Sequence, residues 1–343
     1  MKKSLLVVSL LLALAAATGA QSNPVLLNAA GATFPYPMYS KWFDVYHQQR
    51  PNVQINYQSI GSGGGIRQVL AGTVDFGASD GPMNDDQMKE FREKRGVDIL
   101  HFPTVLGADV PAYNVEGVKT DLNFTQNALA GIFLGTITKW NDPEIVGANP
   151  GVKLPNSDII VVHRSDGSGT TYVWTDYLSK ISDEWKNKIG KGTSVNWPIG
   201  LGGKGNEGVA GLVKQTPNSV GYVELIYAIQ NTMPYGKVAN AAGKFIKADL
   251  ASVTAAAASA ANNMPDDFRV SITNAPGPTA YPVSSFTWLL IPSKIPDAAK
   301  RDAIKGFLEW MLKDGQNATE ALAYARLPKP VITKELKAIS LVQ

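Results

Sequence analysis

Along this chain, short apolar runs hand over to small-residue turns, and each turn hands over to apolar positions at helical spacing. VLLNAA at residues 25–30 reads as a strand and Ala29 to Thr33 as a turn. The segment after it reads as an amphipathic helix with Trp42, Phe43 and Tyr46 in the core. VQINYQSI alternates as a strand does, GSGGG reads as a bare turn, and IRQVLAG as a short helix. DIIVV at 158–162 is apolar and β-branched; HRSDGSGTT follows it, and then the helical YVWTDYLSKI. Later, NSVGYVELIYAIQ passes from strand to helix, ASVTAAAASAANN is an alanine-rich helix, and YPVSSFTWLLIP is a returning strand. KRDAIKGFLEWMLKDG places Ile304, Phe307, Leu308 and Met311 on one helical face. Repeated strand, turn and helix predict an α/β protein, in which ligands sit at strand C-termini.

Composition bounds the function. The opening MKKSLLVVSLLLALAAATGAQS has two lysines, an apolar run from Leu5 to Ala17 that is short for a membrane span, and small residues before Gln21. This pattern predicts a signal peptide over 1–20, cleaved near Ala20, and an exported, periplasmic product. No cysteine is present, so neither a disulfide nor a lipid-modified cysteine is available. Without the leader roughly 320 residues remain, enough for two domains of about 100 to 200 residues each. The formal charge of +3 falls to +1 without Lys2 and Lys3, and the basic residues are scattered, which argues against a nucleic-acid partner.

The candidate chemistry lies in the turns. HRSDGSGTT brings Arg164, Asp166, Ser168, Gly169 and Thr170 to the start of a helix, whose free N–H groups and positive dipole end make an anion seat. Thr33 and Phe34, and separately Ser62, occupy the same strand-to-helix position. In VDFGASDGPM, Asp80 follows a short buried strand and is flanked by small residues. A carboxylate beside an anion seat makes sense if the anion carries a hydrogen: it accepts that O–H, and it repels a fully deprotonated ligand. Nucleotide fingerprints are absent, since Gly203-Lys204 is followed by Gly205 and the turn at Gly61 does not complete the dinucleotide pattern.

AGATFPYPMYSKW, IGSGGGIRQ, TVDFGASDGPM, HRSDGSGTTYVWTDYLSK, WPIGLGGKGNEGVAGLV and NSVGYVE occur in order from about Ala29 to Glu224. Together they resemble the periplasmic phosphate-binding proteins of high-affinity phosphate ABC transporters, the PstS family, and the likeness continues more loosely at FTWLLIP and YARLP. The resemblance implies a two-lobed periplasmic binding protein of type II kind, each lobe a mixed sheet flanked by helices, with residues 24–105 plus 282–343 in one lobe and 106–281 in the other. It implies a monomer that uses no cofactor or metal, binds inorganic phosphate between the lobes and delivers it to a membrane permease. Thr33, Phe34 through its N–H, Ser62, Arg164, Ser168, Gly169 and Thr170 would donate to the ligand. Asp80 would accept its proton, and Asp166 would orient Arg164. Gly63 departs from the family, many of whose members carry a second serine there. GKGNEG is expected to buttress the site.

Two other readings compete. A receptor for sulfate, molybdate or another oxyanion would use the same architecture, but Asp80 opposes a fully deprotonated ligand. A phosphate-ester hydrolase is poorly supported: His47, His101 and His163 are singletons without metal-ligand spacing, and Ser168 lacks the glycine two residues earlier that a nucleophile elbow requires. His163 neighbours Arg164 on a predicted strand, so the two side chains should point to opposite faces.

Overall fold

The computed structural model describes residues 24–118 and 120–343; the leader predicted over 1–20 lies outside them. The first part runs β1 (Val25–Gly31), α1 (Tyr36–Gln49), β2 (Val53–Ser59), α2 (Ser62–Ala71), β3 (Phe76–Ser79), α3 (Asp85–Arg95) and the long β4 (Ile99–Asn114). The middle contains β5 (Asn123–Phe124), α4 (Gln126–Leu134), α5 (Pro143–Ala148), β6 (Ile160–Arg164), α6 (Gly169–Ile181), α7 (Asp183–Lys188), β7 (Leu201–Gly203) and α8 (Gly205–Gln215). β8 (Ser219–Glu224), α9 (Leu225–Gln230), β9 (Lys237–Ala239), β10 (Phe245–Ile246) and α10 (Leu250–Ala261) follow. β11 (Ser284–Pro292), α11 (Ala298–Lys313) and α12 (Lys329–Ala338) complete the chain.

The main sheet has the order β2-β1-β3-β11-β4-β8-β6-β7, and β10-β9-β5 form a smaller one. β4 joins its two halves. Residues 99–108 pair antiparallel with β11, and Asp109–Asn114 pair antiparallel with β8, so one strand passes from the first lobe into the second. Beyond it, β1, β2 and β3 run parallel on one side, and β8, β6 and β7 run parallel on the other. The turns that follow β1, β2, β3, β6 and β7 carry Thr33, Ser62, Asp80, Arg164 to Thr170, and the start of α8. This is the crevice outside the carboxyl ends of parallel strands where open α/β sheets hold ligands.

Large aromatic side chains fill both lobes. Trp42, Phe43 and Tyr46 are buried as their spacing predicts, and so are Ile304, Phe307, Leu308 and Met311; Phe43 and Phe307 meet with ring centres 5.3 Å apart. In the second lobe Trp174 stacks on Tyr222 at 5.2 Å. Residues after α10 lie against the first-lobe strands, where the Trp288 indole donates to the Phe268 carbonyl.

One element differs from its sequence reading. The GSGGG segment is not all turn: α2 begins at Ser62 and takes Gly63, Gly64 and Gly65 into its first turn. Gly61 alone makes the bend, at φ +85. A Cβ on Gly65 would come within 2.6 Å of Gly31 Cα and 2.8 Å of the Ala78 carbonyl oxygen. The glycine is therefore required by the close approach of α2 to β1 and β3, which outweighs its poor helix propensity.

Candidate functional site

The site is built from buried backbone turns whose carbonyls are tied back by tyrosines. The carbonyls of Ala32, Thr33 and Phe34 accept hydrogen bonds from the hydroxyls of Tyr57 (2.7 Å), Tyr227 (2.6 Å) and Tyr324 (2.6 Å). In a planar trans peptide the C=O and the following N–H point in opposite directions. Fixing the Thr33 carbonyl outward therefore turns the Phe34 N–H inward, where it finds no acceptor among the described residues. On the facing wall Ser168 caps α6, its hydroxyl accepting from Thr171 N–H at 3.0 Å, while the N–H groups of Gly169 and Thr170 stay unpaired in the same sense.

Arg164 supplies the fixed cation. Its side chain is almost wholly buried and forms a fork with Asp166, Nε to Oδ1 at 2.7 Å and Nη2 to Oδ2 at 2.6 Å. Nη1 reaches Thr170 Oγ1 at 3.3 Å. Burial alone would lower the guanidinium pKa, but the Asp166 contacts overcome it and raise it. Burial likewise works against the Asp166 charge, and the Arg164 contacts with the Gly205 N–H hold that carboxyl below its ordinary range. The pair is thus ionised and self-compensating, leaving hydrogen-bond donors rather than net charge to meet an anion. Tyr222 supports both ends: its hydroxyl accepts from Arg164 N–H at 3.1 Å and lies 2.6 Å from Thr171 Oγ1.

Asp80 is the carboxylate of the cleft. Thr287 on β11 donates to its Oδ1 at 2.8 Å, whereas Oδ2 has only a long contact from Ser62, 3.3 Å. Oδ2 is the oxygen facing α6, since a Cβ on Gly169 would overlap it and lie 2.5 Å from Asp80 Cβ. Burial pushes the Asp80 carboxyl up to about 7 against the opposing pull of Thr287, Arg164 and Ser62. The folded chain therefore binds this proton more tightly than the unfolded one. Its stabilising contribution is present in acid and is lost as pH rises from 3.8 to about 7. Asp109 and Glu224 stand opposite each other in the β4–β8 register, wholly buried, and burial pushes both well above the carboxylate range toward the neutral acid. They add little negative charge beside the cleft.

Of the nine residues singled out in the sequence, Thr33, Ser62, Asp80, Arg164, Asp166, Gly169 and Thr170 are brought together by these contacts where turns of the two lobes meet, and Phe34 and Ser168 stand next to Thr33 and Gly169 in the chain. Gly63, the position that departs from the family pattern, touches the opposite lobe: its N–H donates to the Gly167 carbonyl at 2.9 Å, and an added Cβ would stand 3.0 Å from Gly167 Cα. His163 points away from the cleft and stacks on Trp197 at 4.8 Å, so it is not positioned as a base for Ser168. Sequence reasoning missed Thr287, the three tyrosines and the cleft contacts of Asn206. Asn206 sits in the GKGNEG turn, where glycine beside a polar residue was the available signal; its amide donates to Thr33 Oγ1 at 2.8 Å and Thr170 Oγ1 at 3.1 Å.

Residues 18–315 match a family model described as a PBP superfamily domain. A phosphate-binding protein PstS of Xylella fastidiosa is 46% identical over 319 residues, covering 93% of this chain and 85% of its own. A phosphate-binding protein PstS of Pasteurella multocida is 44% identical over 334 residues, covering 97% of this chain and 94% of its own. The solved structure of a phosphate-binding protein from Stenotrophomonas maltophilia shares the fold, with a TM-score of 0.68 at 19% identity over 91% of this chain and 93% of that one. The two-lobed α/β architecture and the extent of these matches agree, and the chain belongs to the PstS family of phosphate-binding proteins within the PBP superfamily.

Proposed function

We propose that this protein is the solute-binding component of a phosphate ABC importer, working free in the periplasm as a monomer. It takes inorganic phosphate between a lobe of residues 24–105 plus 282–343 and a lobe of residues 106–281, and hands it to a membrane permease once the lobes have closed. Thr33, Ser62, Ser168 and Thr170 donate through their hydroxyls, Phe34 and Gly169 through their N–H groups, and Arg164 through its guanidinium. Asp80 accepts the hydrogen that phosphate retains at neutral pH, and Asp166 aims Arg164. The relatives' names support phosphate as the ligand.

The observation that carries this reading is the pairing of many donors with one buried carboxylate acceptor, Asp80, whose Oδ1 is taken by Thr287 and whose Oδ2 has only a long contact from Ser62. Hydrogen bonds to a charged partner contribute roughly 1.5 to 3 kcal/mol each, so several of them in a dry cleft support micromolar or tighter binding. Sulfate, with no hydrogen to give at this pH, would leave the Asp80 carboxylate facing its oxygens and is expected to bind about 10⁴-fold more weakly. Titration calorimetry of ligand-stripped protein with phosphate and then sulfate checks this, with hydrolysis of a phosphate ester as a control. Equal affinity for the two anions, or turnover of the ester, would contradict the proposal.

A further inference from the structure

We infer that Tyr227 is a positioning residue shared between two acceptors, the Thr33 carbonyl across the lobe boundary and the Glu207 carboxylate in its own lobe, and that their competition sets how fast the closed protein releases its ligand. This rests on the reading of the site as a phosphate cleft between closing lobes. Three tyrosine hydroxyls tie back the turn that presents the Phe34 N–H. Two of them, Tyr57 on β2 and Tyr324 between α11 and α12, belong to the first lobe, as the turn does. Tyr227, on α9, reaches over from the second. Its ring is buried, and its hydroxyl donates to the Thr33 carbonyl at 2.6 Å. That carbonyl also accepts the Tyr36 N–H at 3.2 Å, so the turn keeps its shape without Tyr227.

A phenol has one proton to give. Glu207, exposed in the first turn of α8, brings Oε1 to 3.3 Å from the same hydroxyl, so Thr33 holds the proton and Glu207 is the second acceptor beside it. α8 and α9 pack on β8 and on each other, so Tyr227 and Glu207 travel together with the second lobe, whereas the bond to Thr33 breaks when the lobes part. The two side chains line a surface groove of about 590 Å³ with Tyr36, Ser40 and Asp44 of α1, and the seam opens to water there. Separation therefore does not strand the hydroxyl. It turns to a carboxylate, and hydrogen bonds to ionised acceptors are stronger than those to neutral ones. Closure offsets this at the Thr33–Phe34 peptide, because a donor on its carbonyl polarises the N–H at its other end, the one aimed at the ligand. Bound anion and Tyr227 thus reinforce each other, and Glu207 opposes both.

The test follows the loss of bound labelled phosphate into excess unlabelled phosphate for the wild type, Tyr227→Phe, Glu207→Ala, Glu207→Gln and the double variant Tyr227→Phe/Glu207→Ala, with thermal melting of each ligand-free chain. Tyr227→Phe keeps the ring and loses the bond across the seam, and is expected to release phosphate about fivefold to tenfold faster. Glu207→Ala removes the competing acceptor and is expected to release it about threefold more slowly, with Glu207→Gln, which keeps a neutral acceptor, between alanine and the wild type. In the Tyr227→Phe background the alanine change is expected to do nothing, because the contested proton is gone. A carboxylate acting on the anion by charge alone would slow release equally in both backgrounds, and equally for alanine and glutamine. That result, or unchanged release in Glu207→Ala, would overturn the inference; should Tyr227→Phe not fold, the contrast between alanine and glutamine decides. A wild type that does not bind phosphate overturns the cleft reading and takes the inference with it, an outcome distinct from intact binding with an additive cycle.

Discussion

Gly169→Ala is expected to weaken phosphate binding by about 100-fold or more while leaving the ligand-free chain folded. Gly169 opens α6 without a left-handed backbone, so alanine is acceptable there on local grounds and is the better helix former. The obstacle comes from the other lobe. An added methyl would overlap the Asp80 carboxylate and the Ser62 hydroxyl and would lie 2.5 Å from Asp80 Cβ. Asp80 stands at the end of β3 and is held by Thr287, so it has little room to retreat. Gly169 and Asp80 belong to different lobes, so the substitution is expected to act on their approach rather than on the folding of either lobe. Overpacking costs typically 1 to 3 kcal/mol, and two buried polar groups are also pushed apart here, so a loss of about 100-fold or more in affinity follows. Thermal melting with and without phosphate reads this directly: the wild type should melt higher with ligand, and the variant should melt near its ligand-free temperature in both conditions.

Arg164→Ala is the second large effect. It removes the guanidinium that reaches into the cleft and also strips Asp166 of its fork, leaving that carboxylate with the Gly205 N–H beside an incoming anion. Truncating one partner of a buried charge pair costs about 2 to 5 kcal/mol, which corresponds to roughly 30-fold to several thousand-fold weaker phosphate binding. Much of this loss should come from the abandoned Asp166 charge. The double variant Arg164→Ala/Asp166→Ala is therefore expected to recover part of the affinity, and calorimetry on both separates the two contributions. A double variant no better than the single one would place the whole effect on the lost cation contact.

The parts of the cleft that were legible in the sequence are the local ones. A β-branched run, a glycine-bearing turn and a helix start within ten residues are enough to read the seat around Arg164, Asp166 and Ser168, because strand direction and helix N-terminus are set by neighbouring residues. Asp80 was legible by its chemistry, as a carboxylate among donors. Gly65 was misread, since a glycine that lets a helix approach a sheet looks in sequence like one that makes a turn. Thr287, which pins Asp80 from 207 positions away, and Tyr324, which reaches the Phe34 carbonyl from 290 away, left no local trace. They lie in strands and turns whose pattern speaks only of packing, and the role of each arises from sheet order, with β11 inserted between β3 and β4.

A single buried carboxylate, Asp80, takes the hydrogen of a tetrahedral anion otherwise held by donors. The most direct test of this is the ratio of phosphate to sulfate affinity for Asp80→Asn, measured by calorimetry on stripped protein beside the wild type. An amide can turn its N–H toward a bare oxygen, so the account predicts weaker phosphate binding, measurable sulfate binding and a ratio reduced by about 100-fold or more. A ratio unchanged from the wild type would contradict it.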